Sequence, residues 1–138
     1  MEKAQTSDIL IATASQNDLL EMLLSTHNYN LVLETTGRAM LAYVREHTPR
    51  LIIVDAHLPD LNGINLCERV KKVPRLSKVP LMLLVSAKDT NSFEDAQRCA
   101  YDSLVTTPLT GQDIRAEVAG LLGKETLSDN YINFRRAG

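Results

Sequence analysis

Between Leu51 and Gly63 the chain reads LIIVDAHLPDLNG, an apolar run that ends on one carboxylate, Asp55, and passes at once into a Pro, Asp, Asn and Gly turn. Four consecutive apolar residues suit a strand buried on both faces, as in a parallel sheet. Asp55 then stands at the strand's C-terminal edge, where open α/β sheets gather their ligand and reaction sites. A carboxylate there can act as a nucleophile toward a phosphoryl group or as a hard oxygen ligand for a divalent cation. The plainer alternative is a strand-end residue that accepts hydrogen bonds from the backbone around it.

The elements that must position Asp55 follow from the rest of the pattern. Short apolar runs alternate with helical periodicity, which argues for an α/β fold with parallel strands. Strands are expected at Ile9–Thr13, about Leu31–Thr35, Leu51–Val54, Leu81–Val85 and about Leu104–Thr106. The first helix follows Ser15, a cap with Asp18 as its partner, and carries Leu19, Leu20, Met22, Leu23 and Leu24. Further helices are expected at about Arg38–His47, stopped before Pro49, at about Ile64–Val73 and at about Ser92–Ala100. The last, roughly Gln112–Leu122, has Thr110 as its cap and Asp113 as partner. Five strands and five helices in alternation make a (βα)5 doubly wound sheet with right-handed crossovers. In the order 2-1-3-4-5 the switch point lies beside strands one and three, which is where Asp55 falls.

At 138 residues there is room for one domain with a real core and little for a second. Residues 8–123 are expected as that domain, and 124–138 as a C-terminal tail or the start of a linker. A net charge of −2 gives no general argument for nucleic-acid or membrane binding. No apolar run approaches the roughly 20 residues needed to span a bilayer. The N-terminus begins polar, with no basic region ahead of an apolar core, so no secretory leader is expected and the location is read as cytoplasmic. Cys67 and Cys99 match no metal-ligand spacing and are expected as reduced thiols. Lys71, Lys72, Arg75 and Lys78 are expected on a solvated face.

The order strand, carboxylate, turn, helix resembles the receiver domain, the phosphoacceptor module of two-component signalling, over about residues 8–122. The resemblance puts Asp55 at the phosphoacceptor position and Ser86, followed by Ala87, at the position of a hydroxyl that contacts the phosphoryl group. Pro59 and Gly63 match the family's turn. The family also has two magnesium-binding acids just after strand one and a Lys before Pro after strand five. Here Thr13 and Ala14 stand where the acids belong, Thr107 replaces the lysine ahead of Pro108, and Leu104 occupies the aromatic switch position. With one carboxylate left, either no cofactor or a weakly held magnesium at Asp55 is expected. Charge developing on a phosphoryl group would lose its main stabilisers. In the family the residues two past the phosphoacceptor and two past the hydroxyl line the mouth, here His57 and Lys88. Lys88 could return a cation to Asp55 while His57 adds pH dependence, or both are solvated loop side chains.

The leading expectation is thus a degenerate receiver, a pseudo-receiver that is not an enzyme and signals through protein–protein contacts. The alternative is a working receiver phosphorylated on Asp55 by a histidine kinase with magnesium. A histidine kinase or phosphotransfer protein is the expected partner if the site is active, and other signalling proteins in either case. The resemblance also implies a partner face bearing Phe93, Tyr101, Leu104 and Leu109, and it is compatible with a homodimer. Direct contact with nucleic acid or a membrane is not expected. A flavodoxin-like ligand binder is a third reading, for which Thr13–Asn17 supplies only small polar residues.

Overall fold

Alternate side chains of a parallel strand point to opposite faces of the sheet, and here both sets are apolar. The computed structural model describes residues 8–15, 30–107 and 111–130, without the side chains of Thr90, Phe93, 111–113 and 124–130. Five parallel strands form one sheet in the order β2-β1-β3-β4-β5, the order expected. They are β1 (Asp8–Ala12), β2 (Asn30–Glu34), β3 (Leu51–Asp55), β4 (Leu81–Ser86) and β5 (Ser103–Thr107). On one face Leu10, Ala12, Ile52, Val54, Leu83 and Val85 pack against three short helical segments. On the other, Ile9, Ile11, Leu51, Ile53, Met82 and Leu84 pack against Ile114, Val118 and Leu121 of the last helix. Each fully buried side chain of this size stabilises the fold by roughly 1.5–3 kcal/mol relative to exposure.

The helices are α1 (Gly37–Glu46), α2 (Gly63–Lys71), α3 (Thr90–Asp95) with a 3-10 turn at Ala96–Arg98, and α4 (Gly111–Asn130). Each of the first three starts on a side-chain cap. Thr36 accepts from the Ala39 amide, Asn62 from the amides of Ile64 and Asn65, and Asp89 from that of Ser92. The first expected helix, at Leu19–Leu24, and the Thr110 cap lie outside the described residues. The single helix expected at Ser92–Ala100 is instead α3 and the 3-10 turn, because the chain is already extended at Cys99 to enter β5. The last helix continues to Asn130 rather than stopping near Leu122. No proline follows to stop it, and Gly123 in open space is a tolerable weak point.

Two expectations need correction. Cys67 and Cys99 are not free thiols but a disulfide, with Cα atoms 6.0 Å apart across a sequence separation of 32. α2 and the 3-10 turn share a buried seam, and the two sulfurs meet in it. Nor is the basic cluster simply solvated. Lys71 Nζ donates to Val79 O and Asp102 Oδ2, both at 2.9 Å, and Arg75 donates to Val44 O at 2.6 Å and His47 O at 3.1 Å. These cations tie down carbonyls that the loop before β4 and the end of α1 leave without a helix or sheet partner. Among the described residues no helix is long and apolar enough to cross a membrane.

Candidate functional site

The site forms where β1 and β3 end side by side, in register at Ala12 and Val54. Asp55 closes β3 and is only 7% exposed, and it is held by three donors from its own chain. The Thr13 hydroxyl donates to Oδ2 at 2.8 Å, the Ser15 hydroxyl to the same oxygen at 3.3 Å, and the His57 amide to Oδ1 at 2.9 Å. Thr13 is itself fixed, since its amide donates to Glu34 O at 3.0 Å and its Oγ1 accepts from the Ser15 amide at 3.3 Å. The backbone behind Asp55 is pinned by Gly63. Its amide donates to Ala56 O at 3.0 Å, and a Cβ there would stand 2.0 Å from Asp55 O. Only glycine permits that approach.

The neighbouring edge is built by β4 and β5, where Ser86 pairs with Thr107. The Ala87 amide donates to Thr107 O at 3.0 Å, and the Lys88 amide to Ser86 Oγ at 3.2 Å. The Ser86 hydroxyl oxygen thus closes its own turn. Lys88 is exposed, and its ammonium makes no hydrogen bond or ion pair with any described residue. Lys88 therefore forms no ion pair with Asp55 and sits as a solvated side chain on the turn that the Asp89 amide closes on Ser86 O. His57 gives Asp55 its amide, whereas its ring pairs with the Asp89 carboxylate instead. Asp89 also accepts from the Ser92 hydroxyl at 2.6 Å and amide at 3.0 Å. The Ser92 hydrogen bonds, with His57 adding to them, hold the Asp89 carboxyl below the usual carboxylate range. His57, Asp89 and Ser92 form a latch joining the β3–α2 loop to the start of α3.

A profile of the response regulator receiver domain matches residues 9–119. The chain belongs to that family. Among its relatives, response regulator ArlR of Staphylococcus haemolyticus is 26% identical over 125 residues, covering 89% of this chain and 56% of its own length. The chain spans about half the length of the curated relatives it matches first (51–56%). The receiver domain of a signal transduction histidine kinase from Syntrophus aciditrophicus is 27% identical, with a TM-score of 0.81, over 86% of this chain and 92% of that one. The receiver domain of sensor histidine kinase PA1611 from Pseudomonas aeruginosa, solved with magnesium in its active site cleft, shares the fold at a TM-score of 0.79 and 16% identity, over 85% and 98% of the two chains.

The residues of this receiver domain do not fit a magnesium ion well. Among the described residues no group of three or more His, Cys, Asp or Glu side chains comes together, and two hydroxyl protons already point at Asp55 Oδ2. Magnesium favours several hard, negatively charged oxygens, and one hydrogen-bonded carboxylate is a poor start.

The structure brings Asp55, Thr13 and His57 together and leaves Lys88 aside. Sequence reasoning missed Ser15 as a partner of Asp55, having read it as a helix cap, and missed Asp89 and Ser92. The spacing D-x-x-S at Asp89–Ser92 is a helix-start signal that could have found the latter pair. On the expected partner face, Tyr101 and Leu104 are half-buried against the core. Leu104 also lines a hollow of about 240 Å³ between β5 and α4. The side chain of Phe93 and all of Leu109 lie outside the description.

Proposed function

We propose that this receiver domain signals through protein–protein contacts within a two-component system, with phosphorylation at Asp55 slow or absent. The observation that carries the reading is the closed set of donors on Asp55, with Thr13 occupying the place of a metal-binding acid. A nucleophilic carboxylate needs an open lone pair toward the incoming phosphorus and cations around the phosphoryl oxygens. Here the lone pairs meet hydroxyl protons, and Thr107 and Thr13 are neutral where charge is wanted. On this reading the domain has no catalytic activity and no resident metal. It works in the cytoplasm and pairs with a histidine kinase, a phosphotransfer protein or another signalling protein by surface recognition.

The test is intact mass after incubation with acetyl phosphate and magnesium, beside an Asp55→Asn control. No adduct over hours, in protein with a folded circular dichroism spectrum, supports the reading. A phosphate adduct that the control lacks overturns it in favour of a working receiver, which Asp55, Ser86 and the intact Pro59–Gly63 turn would then serve.

A further inference from the structure

α1 and α2 lie side by side on the face of the sheet opposite α4, and they do not close completely against each other. A cleft of about 230 Å³ remains between them, with Leu41 and Val44 on one wall and Val70, Val73 and Leu76 on the other. Val73, at 39% exposure, is the one large hydrophobic side chain exposed among the described residues. A second hollow of about 400 Å³ shares Leu41, Arg45 and Arg69 with the first and adds Arg38 and Leu61. The two adjoin, an apolar cleft that opens into a more polar hollow under an arginine rim. This groove shares no residue with the Asp55 site.

The rim arginines are not equivalent. Arg75 is drawn inward by Val44 O, His47 O and Thr48 Oγ1. Arg38 has Asp60 beside it, a carboxylate already engaged by the amides of Gly37 and Arg38. Arg45 and Arg69 are exposed, and their guanidinium groups make no ion pair or hydrogen bond with any described residue. This positive edge stands on a chain whose formal net charge is −2, so it is a local arrangement and not a general basicity.

We propose that the groove docks an acidic amphipathic helix from a partner protein. One or two Leu-sized side chains enter between Val44, Val70 and Val73, and carboxylates about one helical turn to either side meet Arg45 and Arg69. Charge complementarity selects this occupant. A second copy of this face would set arginines against arginines. Residues 131–138 carry Arg135 and Arg136 and no acidic residue, so that segment offers no carboxylate side chains to match the rim. A nucleic-acid backbone would satisfy the rim but leave the apolar floor uncovered, and no aromatic side chain lines the groove for base stacking.

The probe is a synthetic helical peptide of about four turns, with leucines on one face and glutamates flanking them. Its controls are a scrambled isomer and a counterpart with lysine for glutamate. Amide NMR of the whole chain should show shifts confined to α1, α2 and Val73, fading as salt rises and missing with the lysine peptide. Arg45→Glu with Arg69→Glu should weaken binding about tenfold or more, because both are surface positions whose carboxylate partners would then face like charge. Val73→Asp tests the apolar floor with the arginines intact and should weaken it as well. Shifts elsewhere on the domain, equal binding of the scrambled peptide, or no shift at millimolar peptide overturns the proposal. So does displacement of the peptide by a uridine oligomer, or self-association of the wild-type chain that the arginine variants abolish.

Discussion

Thr13 Oγ1 donates to Asp55 Oδ2 at 2.8 Å, so the end of β1 is joined to the end of β3 by a neutral hydrogen bond. Where two acids and a metal ion would make this junction a balance of strong charges, here one buried carboxylate is neutralised in part by hydroxyls. Thr13→Val keeps the shape and deletes the donor. It should lower stability by about 1–2 kcal/mol in urea denaturation, since Asp55 is a buried carboxylate that loses one of its donors.

Introducing charge should do the opposite of what conservative design does. Thr13→Asp with Ala14→Asp sets carboxylates beside Asp55 and should destabilise the metal-free protein through like-charge repulsion. Added magnesium should then raise its melting temperature while leaving the wild type unmoved. A wild-type protein that gains as much from magnesium as the double variant would contradict the donor set described for Asp55.

Gly63→Ala probes the backbone behind the site. With Asp55 O only 2.0 Å from the added Cβ, the loop or the strand end must shift. Overpacking of this kind costs on the order of 3 kcal/mol. Chemical denaturation reads the loss, and the amide signals of Ala56 and His57 should move with it.

The Cys67–Cys99 disulfide closes a separation of 32 residues. Loop-closure entropy alone assigns such a link about 3–4 kcal/mol. Reduction, or Cys67→Ala with Cys99→Ala, should lower the denaturation midpoint by a corresponding amount. Alkylation of freshly lysed cells before and after reduction measures how much of the protein carries the bond, an informative quantity because most cytoplasmic thiols are kept reduced.

Acid should weaken the loops around the site in a definite window. Asp60 and Asp89 both have carboxyls held below the ordinary 3.8, the first chiefly by the Gly37 amide and the second by Ser92. A carboxyl lowered in the folded state binds protons more readily once unfolded, so its stabilisation is present above 3.8 and lost as pH falls below it toward the folded value. Unfolding midpoints followed from neutral pH downward should therefore drop below about pH 4, and Asp60→Asn and Asp89→Asn should each flatten that limb.

Much of this was legible because the strands announce themselves. Leu51–Val54 and Leu81–Val85 are apolar on both faces, which suits central strands of a parallel sheet. Asp55 stood out because it breaks one of them. What the sequence hides is direction across loops: nothing in a separation of 32 residues says that Cys67 and Cys99 meet, and nothing near Ser15 says that its hydroxyl turns to Asp55 rather than to a helix. The ring of His57 shows the same limit, since two carboxylates were within its loop's reach and only packing decides for Asp89.

The closed hydrogen-bond set on Asp55 also changes how genetics on this domain must be read. Asp55→Ala takes away the acceptor that the Thr13 hydroxyl and the His57 amide share, and losing buried hydrogen bonds of this kind costs about 1–3 kcal/mol. Losses of that size alter how much protein survives cellular quality control. A mutant phenotype at this position would report steady-state abundance before it reported any phosphoryl signal. Strains compared at matched protein levels, with Asp55→Asn as the gentler allele, separate the two.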